Sequence, residues 1–289
     1  AVAVMAMLGA ENPPPSKAFP VRTSVRALRQ ELDTMRHADA FIATARAAQR
    51  QANPLDAQTL DLLRGRTTHI YPLDASMAWL YPELDWRPLP LVQSYVAYTA
   101  ALQRLDGEFL RSSRAPERIL RVPGFGPFDD SPAGLELFCR YKDLHATAAF
   151  EVLGRVPNRC GTPRLIGTQR SSTGGAPVPI PEPGADEIVV ARLHGLGVSG
   201  RETPYSLLFR AYERYVLLKR DQQRLLPDHG SFPAVLKVPA QHDYPGTWRL
   251  NEPGDTLQFK ILQHDPFNVD QSQVDSAYRI DYYAIPLVR

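Results

Sequence analysis

Apolar residues recur at helical spacing early in the chain. Val25, Leu28, Leu32, Met35, Phe41, Ile42 and Ala45 follow at steps of three, four and seven, while Arg22, Arg26, Arg29, Arg36 and Arg46 mostly take other faces. Thr23 or Ser24 can cap this helix and Asn53-Pro54 ends it. Such a helix either packs on a sheet with its basic face in water or lies along anionic headgroups.

From Arg66 to Val156 the period changes to short strands alternating with helices. Strands are predicted at Thr67 to Tyr71, Leu89 to Val92, Ile119 to Val122 and Thr147 to Val156. Helices are predicted at Ala75 to Leu80, Ala97 to Leu110 and Pro132 to Tyr141. The alternation indicates a small, three-layer-like α/β domain with a partly parallel sheet. Gly161 to Gly184 is rich in proline, glycine and serine and reads as part of a linker. Beyond it the texture is β: Glu187 to Leu193, Tyr205 to Tyr212, Tyr215 to Lys219, Ala234 to Val238, Gly246 to Leu250, Thr256 to Leu262 and Ser276 to Leu287 are short apolar or alternating runs. The fold class is therefore α+β, an α/β domain over 21–160 followed by a jelly-roll-like β-sandwich over 187–289, with a linker at 161–186.

Composition agrees with this size. A chain of 289 residues with 44% hydrophobic content exceeds the usual single domain and supports two cores. Its 33 basic and 31 acidic residues nearly cancel, which removes the field that nucleic-acid binding needs. The 27 prolines predict many loops and edge strands. Ala1 to Ala10 are small or apolar and Pro13-Pro14-Pro15 follows, so 1–20 reads as the exit of a membrane helix or signal sequence plus a linker, or as a buried first strand. Cys139 and Cys160 are the two cysteines, consistent with a disulfide in an exported protein or two reduced thiols in a cytosolic one. Neither has the neighbours that a zinc site requires.

Candidate chemistry concentrates between Thr68 and Leu110, where two of the three tryptophans lie. Rings interleaved with amide, hydroxyl and carboxylate groups line sites for polar organic ligands, and they also fill turn-rich cores. Tyr71, Asp74, Gln93, Ser94 and Tyr95 fall at or just beyond predicted strand ends, the crevice position of open α/β sheets. With Trp86 and Tyr98 they form the candidate ligand site.

Elsewhere the motifs are weak. Gly195, Gly197 and Gly200 match the dinucleotide spacing, but Arg192 and His194 alternate into the preceding strand, which favours a glycine-rich loop. His229, His242 and His264 each adjoin an aspartate in turn-like stretches. Asp129-Asp130, or Asp74 with Asp85, are carboxylates whose separation sequence does not define. No catalytic residue, metal or cofactor is assigned.

Tyr71-Pro72-Leu73-Asp74-Ala75-Ser76, the run from Trp86 to Thr99, Leu105 and Ala115-Pro116 resemble a pattern in bacterial multi-pass inner-membrane proteins, some similar to polytopic glycosyltransferases acting on lipid-linked sugars. The resemblance covers residues 60 to 160 well and the rest in texture. It implies an extracytoplasmic domain whose partner is the transmembrane portion of the same protein, with Cys139 and Cys160 joined. It also implies an arginine where Leu89 stands between Pro88 and Pro90. Two function classes follow. One is a non-catalytic accessory domain that recognises a glycan or lipid-linked sugar or packs on the membrane part; the other is an exported carbohydrate-active enzyme using Asp74 or Asp129 as acid or base.

Overall fold

The computed structural model of the protein describes residues 32–33, 35–71, 76–92, 99–122, 128, 131–196, 213–218, 221–225, 232–239, 254–264 and 271–288. The chain divides into two compact units, 1–54 and 55–289.

In the first unit, helix α1 (Ala38–Ala52) ends at Asn53, whose backbone N–H donates to Gln49 O. The expected stop at Asn53-Pro54 is therefore observed, because proline disfavours helical geometry in the residue before it. No residue of α1 is buried, and Phe41 and Ile42 of its apolar stripe are exposed, as are Leu32 and Met35 just before it.

The second unit begins with helix α2 (Ala57–Leu63), capped by Asp56, whose Oδ1 accepts from Thr59 N at 2.6 Å. Strand β1 (Thr67–Tyr71) coincides with the expectation. Helix α3 (Ser76–Leu80) and a two-residue strand β2 (Asp85–Trp86) follow. The strand expected at Leu89 to Val92 is absent, and β2 lies just before it. Pro88 and Pro90 offer no N–H to a ladder, so the pairing stops at Trp86. Helix α4 (Ala100–Arg111) starts at its cap Thr99, whose hydroxyl accepts from Leu102 N.

Strand β3 (Arg118–Arg121), helix α5 (Ser131–Arg140), strand β4 (Tyr141–Ala146) and strand β5 (Glu151–Arg155) complete this region. The sheet runs β2-β1-β3-β5-β4, parallel from β2 to β3 and antiparallel beyond. Strand β4 was not expected. It begins at the residue after α5, and its polar residues reflect an edge position.

The β-rich part comprises β6 (Arg164–Ser172), β7 (Val178–Pro179), β8 (Glu187–His194), β9 (Glu213–Leu218), β10 (Asp221–Leu225), β11 (Ala234–Lys237), β12 (Thr256–His264), β13 (Gln271–Gln273) and β14 (Ala277–Pro286). One sheet is ordered β11-β8-β14-β6 and the other β10-β9-β12-β13, with β7 pairing β12. The expected linker at 161–186 is corrected. Its residues 164–172 form β6, the edge strand zipped antiparallel along β14. Edge strands tolerate a polar composition, so the segment lacks the apolar signal of a central strand. The expected strands Tyr205 to Tyr212 and Gly246 to Leu250 lie outside the described residues, as do residues 1–20.

Packing joins these parts into successive layers. Val189, Ala191 and Leu193 of β8, with Leu236, Ile280 and Tyr282, meet Val216, Leu257, Phe259 and Ile261 of the facing sheet. This is the sandwich core. The other face of β8 places Ile188 and Val190 against Phe138 of α5. The opposite side of α5 contributes Ala133 and Leu137 to a cluster with Ile119 and Leu153 of the mixed sheet. Ile70, Leu120 and Val152 fill the sheet's far face with Leu63 of α2 and Met77 and Leu80 of α3. Helices α4 and α5 approach so closely that a Cβ at Gly107 would lie 2.9 Å from Pro132 Cβ.

The disulfide Cys139–Cys160, with Cα atoms 5.2 Å apart, ties the end of α5 to the segment entering β6. Cys160 also bridges Leu287 in the backbone.

Candidate functional site

The parallel strands β1 and β3 end together, with Tyr71 registered against Arg121. Arg121 in turn faces Glu151 at the start of β5. Their side chains are 4% and 5% exposed and pair at 3.0 Å, Nε to Oε2. Burial pulls the Arg121 guanidinium below its ordinary value, and Glu151, Tyr71 and Asp143 act in the opposite sense. A buried cation thus stands at the strand ends within a cradle of acidic and phenolic groups.

Two residues earlier on β1, His69 is buried with its Nδ1 accepting from Leu89 N at 3.3 Å. Burial lowers its pKa to about 3, so the ring is neutral. It meets Tyr71 edge to face, with ring centroids 6.1 Å apart. Leu89 packs with Tyr71, Leu110 and Ile119. The arginine implied at that position by the resemblance would therefore enter an apolar cluster, which explains why leucine suits this chain.

The structure separates the expected site residues. Tyr71 is 4% exposed and belongs to the core, so its ring offers no stacking face to a ligand. Trp86 is 39% exposed, and Trp79 on α3 is 43% exposed. Their indoles are not core. Trp86 lies on the edge strand level with Thr68 and, across β1, with Arg118, hence at the opening end of the parallel strands and not at the crevice end. Asp74, Gln93, Ser94, Tyr95, Tyr98 and Asp129 lie outside the described residues.

Strand β8 pairs antiparallel with both β11 and β14, which excludes the parallel strand of a dinucleotide fold. Gly195 follows it at φ +88°, and a Cβ there would lie 2.7 Å from Ala277 O. Glycine is required by that turn, and not by a phosphate. Gly197 and Gly200, and the side chains of His229, His242 and His264, lie outside the described residues.

Other histidines do pair with aspartates. His145 Nε2 lies 2.8 Å from Asp56 Oδ2. That contact and the Thr59 bonds hold Asp56 at about 2, securing the α2 cap. His194 Nε2 lies 2.9 Å from Asp281 Oδ2, while Asp281 Oδ1 accepts from Thr168. These partners are distant in sequence, so only the tertiary fold brings them together. Among the described residues, no group of three or more His, Cys, Asp or Glu side chains could hold a metal ion, and no helix is long and apolar enough to cross a membrane.

Neither a protein-family model nor a curated protein matches this sequence. The fold defines an α+β protein with a disulfide that fits an oxidising compartment.

Proposed function

We propose that this chain is an extracytoplasmic accessory domain, non-catalytic by itself, that recognises a glycan or lipid-linked sugar beside the transmembrane portion of its own protein, on the periplasmic face of a bacterial inner membrane. The exposed indoles of Trp79 and Trp86 carry the reading. Large apolar rings with a polar N–H suit the face of a sugar while leaving its hydroxyls to neighbouring polar groups. The Cys139–Cys160 bridge supports the compartment, because such bonds persist where the environment is oxidising. The parent class is inferred from the resemblance of motifs between residues 60 and 160 to bacterial multi-pass inner-membrane proteins.

Titration of the oxidised protein with neutral oligosaccharides, followed by indole fluorescence and by release of reducing sugar, tests the proposal. Saturable binding without turnover is expected, weakened about tenfold or more by Trp86→Ala. Turnover that Asp74→Asn abolishes would establish the enzyme instead.

A further inference from the structure

The end of the mixed sheet opposite Tyr71 opens into a cavity of about 530 Å³ lined by Arg66, Arg118, Arg140, Arg155 and Glu117. Register assembles it. Arg66 precedes β1, and Arg118 opens β3 opposite both Thr68 and Gly154. Arg155 closes β5 opposite Tyr141, the residue that follows Arg140.

Backbone carbonyls hold two of these guanidinium groups. Arg155 donates through Nη1 to Ala115 O at 3.1 Å and to Ser113 O at 3.4 Å, and through Nη2 to Ser112 O at 2.7 Å. Arg118 donates through Nε to Leu62 O at 3.1 Å and through Nη1 to Glu117 O at 2.9 Å. Such bonds position a cation without neutralising it. Arg140 donates through Nε to Glu136 at 2.7 Å, and Arg66 through Nη1 to Glu117 Oε1 at 2.8 Å. A guanidinium has five N–H donors, so each of the four keeps donors beyond these bonds.

Charge remains in excess: Glu117 pairs Arg66 and Glu136 pairs Arg140, while Arg118 and Arg155 are held by backbone carbonyls that carry no net charge. Burial and then the like charge of Arg66 push Arg118 below its ordinary value, with Glu117 opposing. Planar forks fixed in an open, small-ligand-sized cavity match the oxygens of phosphate, which accept from arginine in pairs.

We propose that this cavity binds a phosphate-bearing group, a phosphate or diphosphate carried by a soluble ligand or by a lipid headgroup. The site does not depend on sugar recognition at Trp86. A neutral oligosaccharide tests that reading, and an inorganic anion tests this one.

Calorimetric titration of the oxidised protein with pyrophosphate is the direct measurement. Saturable binding is expected, weakened about tenfold or more by Arg66→Gln and strengthened severalfold by Glu117→Gln, which removes the competing carboxylate. Both side chains are roughly half exposed, so both variants should fold. Flotation with phosphatidylcholine vesicles containing phosphatidic acid separates the sources. Flotation displaced by pyrophosphate assigns a headgroup; pyrophosphate binding without displaceable flotation assigns a soluble phosphoester. Absence of saturable pyrophosphate binding, or binding that neither substitution changes, overturns the proposal.

Discussion

The two ends of the mixed sheet both present arginine, and they treat it in opposite ways. At the crevice end Arg121 is 4% exposed and is matched by Glu151 at 3.0 Å, so its charge is spent inside the fold. At the opening end Arg66, Arg118, Arg140 and Arg155 line an open cavity, where Glu117 pairs Arg66, Glu136 pairs Arg140, and backbone carbonyls hold Arg118 and Arg155. Desolvation explains the difference. A cation removed from water must be paired, whereas one bordering solvent can remain in excess and act on a ligand. Among the described residues, the end that the crevice rule favours thus holds a matched buried pair, while the other keeps cations in excess.

The largest expected effect breaks the buried pair. Glu151→Gln should cost about 3–5 kcal/mol in urea unfolding by stranding Arg121, and Arg121→Met with Glu151→Met should restore much of it. A loss under about 1 kcal/mol for Glu151→Gln would remove the contrast between the two ends.

Next in size is the acid response of His69. Its folded pKa of about 3 lies below the ordinary 6.5, so the unfolded chain binds the extra proton between those values. Stability from this group is fully present above about pH 6.5 and falls as the pH drops through the window, by up to about 1.4 kcal/mol per unit. Denaturant titrations at pH 6.5 and 5 measure it. Asp56, shifted from 3.8 to about 2, contributes only below that range. A flat profile would mean that His69 is solvated.

The smallest effect sharpens the other side. Arg66→Gln should change stability by less than about 1 kcal/mol, because its ion pair with Glu117 is half exposed. A stability loss as large as that of the buried pair would make the open cluster structural too.

Much of the element order was legible. Thr67 to Tyr71, the stop at Asn53 and the strands at Glu187 and Thr256 follow from local periodicity, capping and proline. Strands β4 and β6 were not, because their polar residues suit sheet edges and edges are defined by which partners are missing. The candidate site was less legible. Tyr71 and Trp86 share one aromatic run, yet the first is core and the second is exposed at the other end of the sheet. The arginines at 66, 118, 140 and 155 show no motif, since each stands alone at an element boundary.

Sequence by itself determined the mixed α and β architecture, the position of most elements and the one pair of cysteines that could join. Tertiary structure alone decided the union of residues 55–289 in one unit, the burial of Tyr71 and the gathering of four arginines around a cavity. The reason is physical. Periodicity and capping are properties of neighbouring residues, whereas burial, register and net local charge arise only when distant strands pair.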